Sequence, residues 1–309
     1  MVANPPLPKR VRATLAKRVY RMHQFLFDEL RAFWLTYPEE LRKKICALGW
    51  EPPRPAADEN QREISSNNSG EDYLFMHCQM IAFANSLLAD DGDPDFPRVE
   101  GWVSIPGPDD PDFPVPPSFF PPEGHPVTHT FLPRAKARDF YVRRIVSWER
   151  TCGDAAFLKT LTLGELGTLI EGTLHDAVRN RWAAAPAAIR PDPPTPGEPI
   201  WEGWDDPDYD YLRDMYAMHV NPIFWKFFGW VQDRVEDWKV ANGIFGRDFW
   251  TATWIGKLPE DQPPSNRCPS GTREAPLFAI FENDEVATKH LSEMEQVVSI
   301  IAEAQGDAP

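Results

Sequence analysis

Proline placement constrains this chain more strongly than any other feature of its sequence. Of the 309 residues 33 are proline, and they cluster at 52–55, 94–134 and 191–222. Proline lacks a backbone N–H and clashes with the preceding helical turn, so these clusters exclude regular helix and central β-strand. The stretches between them carry apolar residues at helical spacing, which predicts amphipathic helices. The chain is therefore expected to be mainly α, with long, irregular, proline-rich loops.

Six helices are predicted from this spacing. They cover 9–35, a stretch beginning after Ser69, 161–183, two stretches beginning near Asp206-Pro207 and at Asn221-Pro222, and 284–304. Ser69 and Asn221 are residue types that favour helix N-caps, and Pro222 suits a first helical position. The buried stripe of the second helix is expected to consist of Tyr73, His77, Met80, Ile81, Ala84 and Leu88. His77 is therefore predicted to point inward.

The chain is interpreted as one domain, 1–309, in three parts. N-terminal helices occupy 1–68, a bundle core occupies 69–242, and a C-terminal extension with a helix occupies 243–309. Within the core, 90–135 is a proline-rich loop centred on "GWVSIPGPDDPDFPVPPSFFPP", which is expected to lie over the surface. His125 and His129 of "GHPVTH" are assigned to this loop. The apolar face of the final helix is expected to cover the core, to act as a lid or to form a homodimer surface. His290 is expected on the exposed side of this helix.

The net charge and the lack of long apolar runs argue against several partners and compartments. The net charge is −15 and the pI is about 4.9, so the average field repels nucleic acid and anionic membrane surfaces. The sequence has neither an uninterrupted run of about 18 apolar residues nor the apolar segment of a secretory signal, which predicts a cytoplasmic protein. The four cysteines are scattered without a CxxC motif and are interpreted as reduced, structural thiols.

One segment of the third predicted helix carries ionisable groups where apolar ones are expected. In "EGTLHDAVRNRW", Glu171, His175 and Arg179 stand four residues apart, so a helix brings them to the side that also carries Leu174 and Val178. Burying three ionisable groups costs several kcal/mol each unless they pair or line a polar cavity. The pattern therefore indicates a polar pocket in the core.

Three segments, "EDYLFMHCQMIAF", "LGTLIEGTLHDAVRNRW" and "NPIFWKFFGWVQDRVEDW", occur in this order along the chain. Together they resemble the copper-binding regions of the tyrosinase and hemocyanin superfamily, especially tyrosinase-like enzymes of natural-product pathways. "FPRVEGWVSIP" and "DFPVP" resemble the segment that connects the two metal halves in that family. The resemblance covers roughly 70–240 and implies a four-helix bundle core in which each of two coppers is held by three histidines.

The copper ligands that the resemblance implies are mostly missing. His77 matches the last ligand of the first copper, and His175 matches the first ligand of the second. Glu171 matches the acidic residue that orients a water in the family. Arg179 and Phe228 stand where two further histidines are expected, so only two of six ligand positions are kept. A guanidinium cannot coordinate copper, so dicopper oxygen chemistry is not expected.

The leading hypothesis is a copper-free enzyme that performs cyclisation, isomerisation or elimination on a small aromatic intermediate. Arg179 is interpreted as a buried cation that supplies part of the positive charge that copper ions supply in the family. It is expected to pair with Glu171 or Asp176 and to stabilise an oxyanion. His175 would transfer a proton, Glu171 would orient it, and His77 completes the catalytic set. The residues assigned to substrate binding are Phe228, Asp176, Phe224, Trp182 and His219. The expected non-oxidative reaction is similar in kind to that of the hemocyanin-like cyclopenase group, which performs a lyase reaction.

Two alternatives stay open at the level of sequence. The first is a catalytically inactive relative that binds an aromatic ligand or partners an active enzyme. The second is a mononuclear zinc or copper enzyme, since His77, His175 and Glu171 would supply the three protein ligands of a catalytic zinc site. The cation of Arg179 disfavours a metal there, so no cofactor is expected and zinc is the alternative.

Overall fold

The computed structural model describes residues 7–52, 54–120, 126–190, 203–246, 249–251, 254, 256 and 283–306. Across these ranges the chain is mainly α, as predicted, and contains no β-strand. Its helices are α1 (Lys9–Leu15), α2 (Arg18–Phe33), α3 (Glu39–Ala47), α4 (Ser69–Asp91), α5 (Pro126–Lys136), α6 (Arg138–Phe140), α7 (Val146–Cys152), α8 (Ala155–Leu158), α9 (Leu163–Ile170), α10 (Asp176–Trp182), α11 (Pro222–Ala241) and α12 (Asp284–Gly306). Two π-helical segments, Tyr141–Ile145 and Glu171–His175, connect α6 to α7 and α9 to α10 without a break.

The predicted helix 9–35 is divided in two, so a single continuous helix was wrong. Lys17 leaves the helical conformation, and the carbonyl of Ala16 accepts a hydrogen bond from Arg21 Nε at 2.8 Å. Because a side chain satisfies this carbonyl, the backbone can change direction without leaving it unpaired. α2 then lies against α4, where the rings of Tyr20 and Phe83 are 5.0 Å apart.

Helix α4 is the centre of the fold. It begins at Ser69 as predicted, and every residue from 69 to 84 is buried, including the whole predicted stripe up to Ala84. The predicted cap was wrong, because the Ser69 hydroxyl donates to the carbonyl of Ile64 at 3.3 Å instead of receiving a backbone N–H. His77 points inward and is 2% exposed, which confirms its predicted orientation.

Glycines allow α4 and α9 to approach each other at backbone distance. A Cβ atom on Gly167 would lie 1.9 Å from the carbonyl oxygen of Gly70, and one on Gly70 would lie 2.1 Å from the amide nitrogen of Thr168. No side chain fits at either position, so the two helices contact each other backbone to backbone there. This crossing brings the helix that carries His175 against the helix that carries His77.

The third and fifth predicted helices are confirmed. Residues 163–182 form one run from α9 to α10, and a capping box between Thr162 and Glu165 begins it. The π segment inside it was not predicted from the spacing. Asn221 caps α11 by accepting from the Ile223 amide at 2.9 Å, with Pro222 in the first turn. The proline-rich loop crosses α11 where Trp102 N donates to the Lys226 carbonyl at 3.1 Å.

The end of the proline-rich loop is a helix, so the loop prediction for 90–135 was wrong from residue 126 onward. α5 includes Pro133 and contains His129. It ends against α10, where Arg181 Nη1 donates to the Ala135 carbonyl at 3.0 Å and Lys136 Nζ donates to the Ala183 carbonyl at 2.7 Å. These tertiary bonds stabilise a short helix that its own composition does not favour. His125 lies outside the described residues.

The helix predicted from Asp206-Pro207 is absent from the described part of 203–217, which is irregular apart from turns. Arginine side chains take the carbonyls that a helix would need for its own hydrogen bonds. These bonds are Arg12 to Pro207, Arg21 to Asp206 and Tyr209, and Arg179 to Leu212 and Arg213. The arginines come from distant parts of the chain, so only the tertiary structure reveals this competition.

The final helix, α12, covers α2 and α3. Its predicted apolar line is largely buried there, with Met294, Val298 and Ile301 at most 4% exposed. His290 was predicted to be exposed and is only 4% exposed, because the face that carries it is also covered.

Within the described ranges no helix combines the length and apolar character needed to cross a bilayer. The described cysteines Cys46, Cys78 and Cys152 are free thiols.

Candidate functional site

Four aromatic rings from three helical segments meet in the core, and we call them the ring cluster. Tyr73 and His77 come from α4, His175 from the π segment and Phe228 from α11. His77 and Phe228 are stacked with their centroids 3.7 Å apart and their planes 2° from parallel. Tyr73 lies 4.6 Å from His77 and 5.6 Å from His175. The structure thus brings together three residues assigned to the site from sequence: His77, His175 and Phe228.

Each polar ring of the cluster carries a buried atom without a hydrogen-bond partner. These atoms are Tyr73 Oη, His77 Nε2 and His175 Nε2. An unsatisfied buried donor or acceptor costs about 1–3 kcal/mol, so three of them in one place are an expensive arrangement. Ordered water, an ion, a ligand or a reacting group can supply the partner that such atoms need.

The hydrogen bond of His77 determines its tautomer. Its Nδ1 lies 2.7 Å from the Tyr73 carbonyl oxygen, which only accepts, so Nδ1 carries the proton and Nε2 carries a lone pair. Burial lowers the pKa of His77 to about 3, although the bond to the Tyr73 carbonyl opposes this shift, and the charge of Arg31 lowers it further. At neutral pH the ring is an uncharged acceptor.

His175 is also uncharged at neutral pH. Burial lowers its pKa well below 6.5, and the positive charges of Arg179 and Arg31 lower it further. The same environment keeps Tyr73 protonated, because burial and the charges of Glu171 and Asp28 raise the pKa of its hydroxyl. The ring cluster therefore presents a phenol and two neutral imidazoles in a dry setting.

The cation that pairs with Glu171 is Arg31 of α2. Arg31 Nη1 and Nη2 bind the two carboxylate oxygens at 2.7 and 3.0 Å, and Nη2 also donates to the Ser69 carbonyl at 2.9 Å. The Arg31 side chain is 2% exposed and that of Glu171 is 26% exposed. Burial disfavours the charge of Arg31, but Glu171 outweighs it and raises the pKa of the guanidinium. This partly buried ion pair lies beside the ring cluster.

Arg179 and Asp176 do not join the ring cluster, which corrects the predicted pairing of Arg179 with Glu171 or Asp176. The Arg179 guanidinium donates to the carbonyls of Leu212 and Arg213, each at 3.0 Å. Asp176 is exposed. Each turn of the run from α9 to α10 meets a different neighbour, so residues four apart face α2, then α4 and α11, then the 203–217 segment. A shared helix face does not guarantee a shared pocket.

The remaining residues assigned to substrate binding are divided among three places. Phe224 belongs beside the ring cluster, 4.4 Å from Phe228 and 5.7 Å from His77. Trp182 instead packs on Trp102 at 5.1 Å and donates through Nε1 to the Phe113 carbonyl, so it anchors the proline-rich loop. His219 faces α1, where its Nε2 lies 3.0 Å from the Leu15 carbonyl oxygen.

The residues present do not suit the metal sites considered from sequence. A copper pair needs converging imidazoles, and here Phe228 covers the face of His77. Glu171 is engaged by Arg31, so His77, His175 and Glu171 do not form a zinc triad. Among the residues that the structure describes, no group of three His, Cys, Asp or Glu side chains is arranged to hold a metal ion.

Sequence reasoning missed Arg31 and the polar role of Tyr73. Tyr73 was placed in the buried stripe, but its hydroxyl was not considered. Arg31 follows Leu30 and lies four residues after Phe27, at the edge of the apolar face of α2. That position was the available signal, since an arginine beside a buried stripe needs a carboxylate partner.

No protein-family model matches this chain, and no curated protein sequence matches it. The tyrosinase resemblance therefore depends on the three quoted segments and on the residues they contribute to the ring cluster.

The low pKa of His77 predicts a specific acid sensitivity. The unfolded imidazole titrates near 6.5, so between that pH and about 3 the unfolded chain binds a proton that the native chain does not. This contribution to stability is present above pH 6.5 and is lost as the pH falls. Replacing His77 with leucine should reduce the slope of unfolding free energy against pH by about 1.4 kcal/mol per pH unit in this window.

Denaturant titrations between pH 6.5 and 4.5 measure that slope. His219→Leu should reduce it similarly, because burial also lowers the pKa of His219 to about 3. Arg150→Gln, at an exposed position, should leave the slope unchanged. An unchanged slope in His77→Leu would contradict the assignment of a neutral buried imidazole.

Proposed function

We propose that this protein is a copper-free, tyrosinase-like enzyme of secondary metabolism that performs non-oxidative acid–base chemistry on a small aromatic molecule. Cyclisation, isomerisation and elimination are the reaction types that the ring cluster suits. The observation that carries the proposal is the set of three orphaned buried atoms: Tyr73 Oη, His77 Nε2 and His175 Nε2. A phenol or enol bound among them would supply the missing hydrogen bonds.

The helix arrangement supports the tyrosinase-like part of the proposal. We infer a four-helix bundle core made of α2, α4, the run from α9 to α10, and α11. The residues at the matched positions, His77, His175 and Phe228, converge from three of these elements although they are far apart in sequence. The fourth, α2, supplies Arg31. Convergence at the positions of lost ligands is the expected outcome for a bundle that has kept its packing after losing its metals.

The proposed chemistry follows from the protonation states. His77 Nε2 has a lone pair and accepts a hydrogen bond from the hydroxyl of a bound phenol or enol. Transfer of the proton to this weakly basic ring depends on the oxyanion that forms beside it, whose negative charge raises the pKa of the imidazole. The Tyr73 hydroxyl is a protonated donor that can bind that oxyanion. Arg31 is positive and close enough to lower the pKa of both imidazoles, so it also favours a developing negative charge nearby. Arg31 thus takes the electrostatic role first assigned to Arg179.

Replacing Tyr73 with phenylalanine should stabilise the unliganded protein and weaken ligand binding. The change removes an unsatisfied hydroxyl, so the free energy of unfolding should rise by about 1 kcal/mol or more. Binding of a simple phenol such as 4-methylphenol should weaken by roughly tenfold, because a hydrogen bond to the ligand is lost. Chemical denaturation and ligand-observed NMR measure the two effects.

Tyr37→Phe is the matched control. Tyr37 is also buried, but its hydroxyl donates to Glu29 Oε1 at 2.6 Å, so its removal should destabilise the fold. Opposite signs for the two substitutions identify Tyr73 as a functional hydroxyl. If Tyr73→Phe destabilised the protein as Tyr37→Phe does and left phenol binding unchanged, the proposed site would be wrong.

Proton transfer can be tested without knowing the natural substrate. Aryl ketones with exchangeable α-protons are incubated with the protein in D₂O, and deuterium uptake is followed by NMR. Uptake that is lost in His77→Leu and His175→Leu supports the enzyme. Binding without exchange favours the second candidate, a ligand-binding protein, which the low basicity of both imidazoles makes the main rival.

A further inference from the structure

A short loop between α3 and α4, which we call the flap, consists of residues 56–64. It is closed on itself by backbone bonds, because Ile64 N donates to the Ala56 carbonyl at 2.9 Å and Asp58 N donates to the Arg62 carbonyl at 2.9 Å. The Asp58 carboxylate also accepts from the Arg62 amide at 2.9 Å. A loop whose ends are close together and whose polar groups bind one another is a compact unit.

The flap is fixed to the rest of the chain at both of its ends. Arg54, just before it, donates to the Asp72 carboxylate through Nε at 2.9 Å, and the Asp72 side chain is 1% exposed. Asn67, just after it, donates through Nδ2 to the Pro55 carbonyl at 2.7 Å. These flanking residues are anchors, so a movement of the flap would turn about its two ends.

Few contacts hold the flap against α2. The Ala56 amide donates to the Arg31 carbonyl at 2.8 Å, and Gln61 Nε2 donates to the Ala32 carbonyl at 3.1 Å. Both carbonyls belong to the last turn of α2, where water can replace a lost donor. No residue from 56 to 64 is buried, so opening the flap exposes little apolar surface.

Glu63 supplies a contact that opposes the closed position. Its carboxylate lies on the backbone of Gly172, where a side chain would overlap it. Burial raises the pKa of Glu63, and the like charges of Glu171 and Asp176 raise it further. Repulsion among these carboxylates favours an open flap, whereas the two hydrogen bonds to α2 favour a closed one.

The flap lies on the side of the ring cluster where the ion pair of Arg31 and Glu171 is found. Every residue of α4 from 69 to 84 is buried, but the Glu171 side chain is 26% exposed and Gly172 is exposed. The ion pair is close enough to the cluster to shift the pKa of its polar rings. His175 is only 7% exposed, so a ligand needs an opening to reach it.

We propose that the flap is a lid, which opens as one body about its anchored ends and admits an aromatic ligand to the ring cluster past Glu171. This inference rests on the proposed function, since it supplies the route by which a phenol reaches the buried groups. The bonds inside the flap outnumber its bonds to α2, so the flap keeps its shape when the latter break.

Gln61→Ala tests the lid, because Gln61 is exposed and its side chain supplies one of the two bonds to α2. Amide hydrogen exchange, followed by NMR, should become roughly threefold or more faster at Ala56 and stay unchanged at Ile64, whose bond lies inside the flap. Glu63→Gln should slow exchange at Ala56 roughly twofold, because it removes a like charge. Asn60→Ala, the same kind of change at a neighbouring exposed position, should exchange as the wild type does.

Binding kinetics connect the lid to the site. In Gln61→Ala the association and dissociation rates of 4-methylphenol, measured by NMR exchange spectroscopy, should both rise roughly threefold or more. The Kd should stay unchanged, because a lid alters access and not the contacts of the bound ligand. Asn60→Ala should keep the wild-type rates.

Several results would overturn the proposal. Wild-type exchange at Ala56 in Gln61→Ala would show that the flap does not open, and equal acceleration at Ala56 and Ile64 would show that it unfolds instead. Faster exchange at Ala56 with wild-type binding rates would mean that the ligand enters elsewhere. If the wild type does not bind 4-methylphenol, the proposed function fails, and the exchange rates alone then decide whether the flap opens.

Discussion

Replacing Asp214 with asparagine should destabilise the protein by about 3–5 kcal/mol, the largest effect that we expect from a single substitution. Asp214 accepts from Arg190 Nε and Nη2 at 3.0 and 2.9 Å, from the Tyr209 hydroxyl at 2.6 Å and from the Tyr216 amide at 3.0 Å. The Arg190 side chain is 1% exposed, so the substitution removes the negative charge that pairs with a buried cation. Urea or guanidinium titration followed by tryptophan fluorescence measures the loss.

The effect should depend on pH in a defined direction. Burial favours a raised pKa for Asp214, but Arg190 and the surrounding hydrogen bonds outweigh it and hold the pKa below its ordinary value. The stabilisation is therefore complete above about pH 4 and is lost as the pH falls through the native pKa. The difference between wild type and variant should shrink in strong acid.

Asp208→Asn is the control for this prediction. It removes the same charge from an exposed position in the same segment and should change stability by about 0.5 kcal/mol or less. Equal stability for Asp214→Asn and Asp208→Asn would contradict the assignment of a buried ion pair that holds the 203–217 segment.

Replacing Glu171 with glutamine should cost about 3 kcal/mol. Glutamine has the same shape, and its amide oxygen can keep one hydrogen bond to Arg31, so the loss lies at the lower end for a broken buried pair. The other amide position presents an N–H to a guanidinium donor, and the charge of Arg31 remains buried. The midpoint of chemical denaturation should fall with little change in slope.

Two further variants distinguish the ion pair from a general effect of the substitution. Asp176→Asn removes an exposed carboxylate one turn later and should change stability by about 0.5 kcal/mol or less. The double variant Arg31→Met, Glu171→Leu removes both charges and should recover much of the loss, because paired apolar replacements are often neutral. If the double variant were less stable than Glu171→Gln, charge burial would not explain the result.

Local chemistry made much of the helical framework predictable. The start of α4 and the run from α9 to α10 follow from apolar spacing, and the start of α11 follows from the Asn221 cap and the placement of Pro222. Failures occurred where a side chain took backbone carbonyls, as Arg21 does at Ala16, five residues earlier, and at Asp206 in the 203–217 segment. Apolar spacing does not predict such bonds, and the donors to the 203–217 segment are far away in the sequence.

The candidate site was predictable in part for the same reason. The spacing of α4 determined that His77 is buried, and the resemblance placed His175 and Phe228 beside it. The choice between Arg31 and Arg179 as partner of Glu171 depended on which neighbour each helical turn meets. Helical periodicity predicts that a residue faces inward, but it does not predict which helix or loop that residue contacts.

The sequence by itself determined the helical class and the burial of both imidazoles, since these depend on residue type and spacing. Only the tertiary structure decided which cation enters the core, which polar atoms are left without partners and which helix the flap covers. The physical reason is range: hydrogen-bond geometry and desolvation act over a few ångströms between residues far apart in the chain. Those distances exist only after the helices have packed.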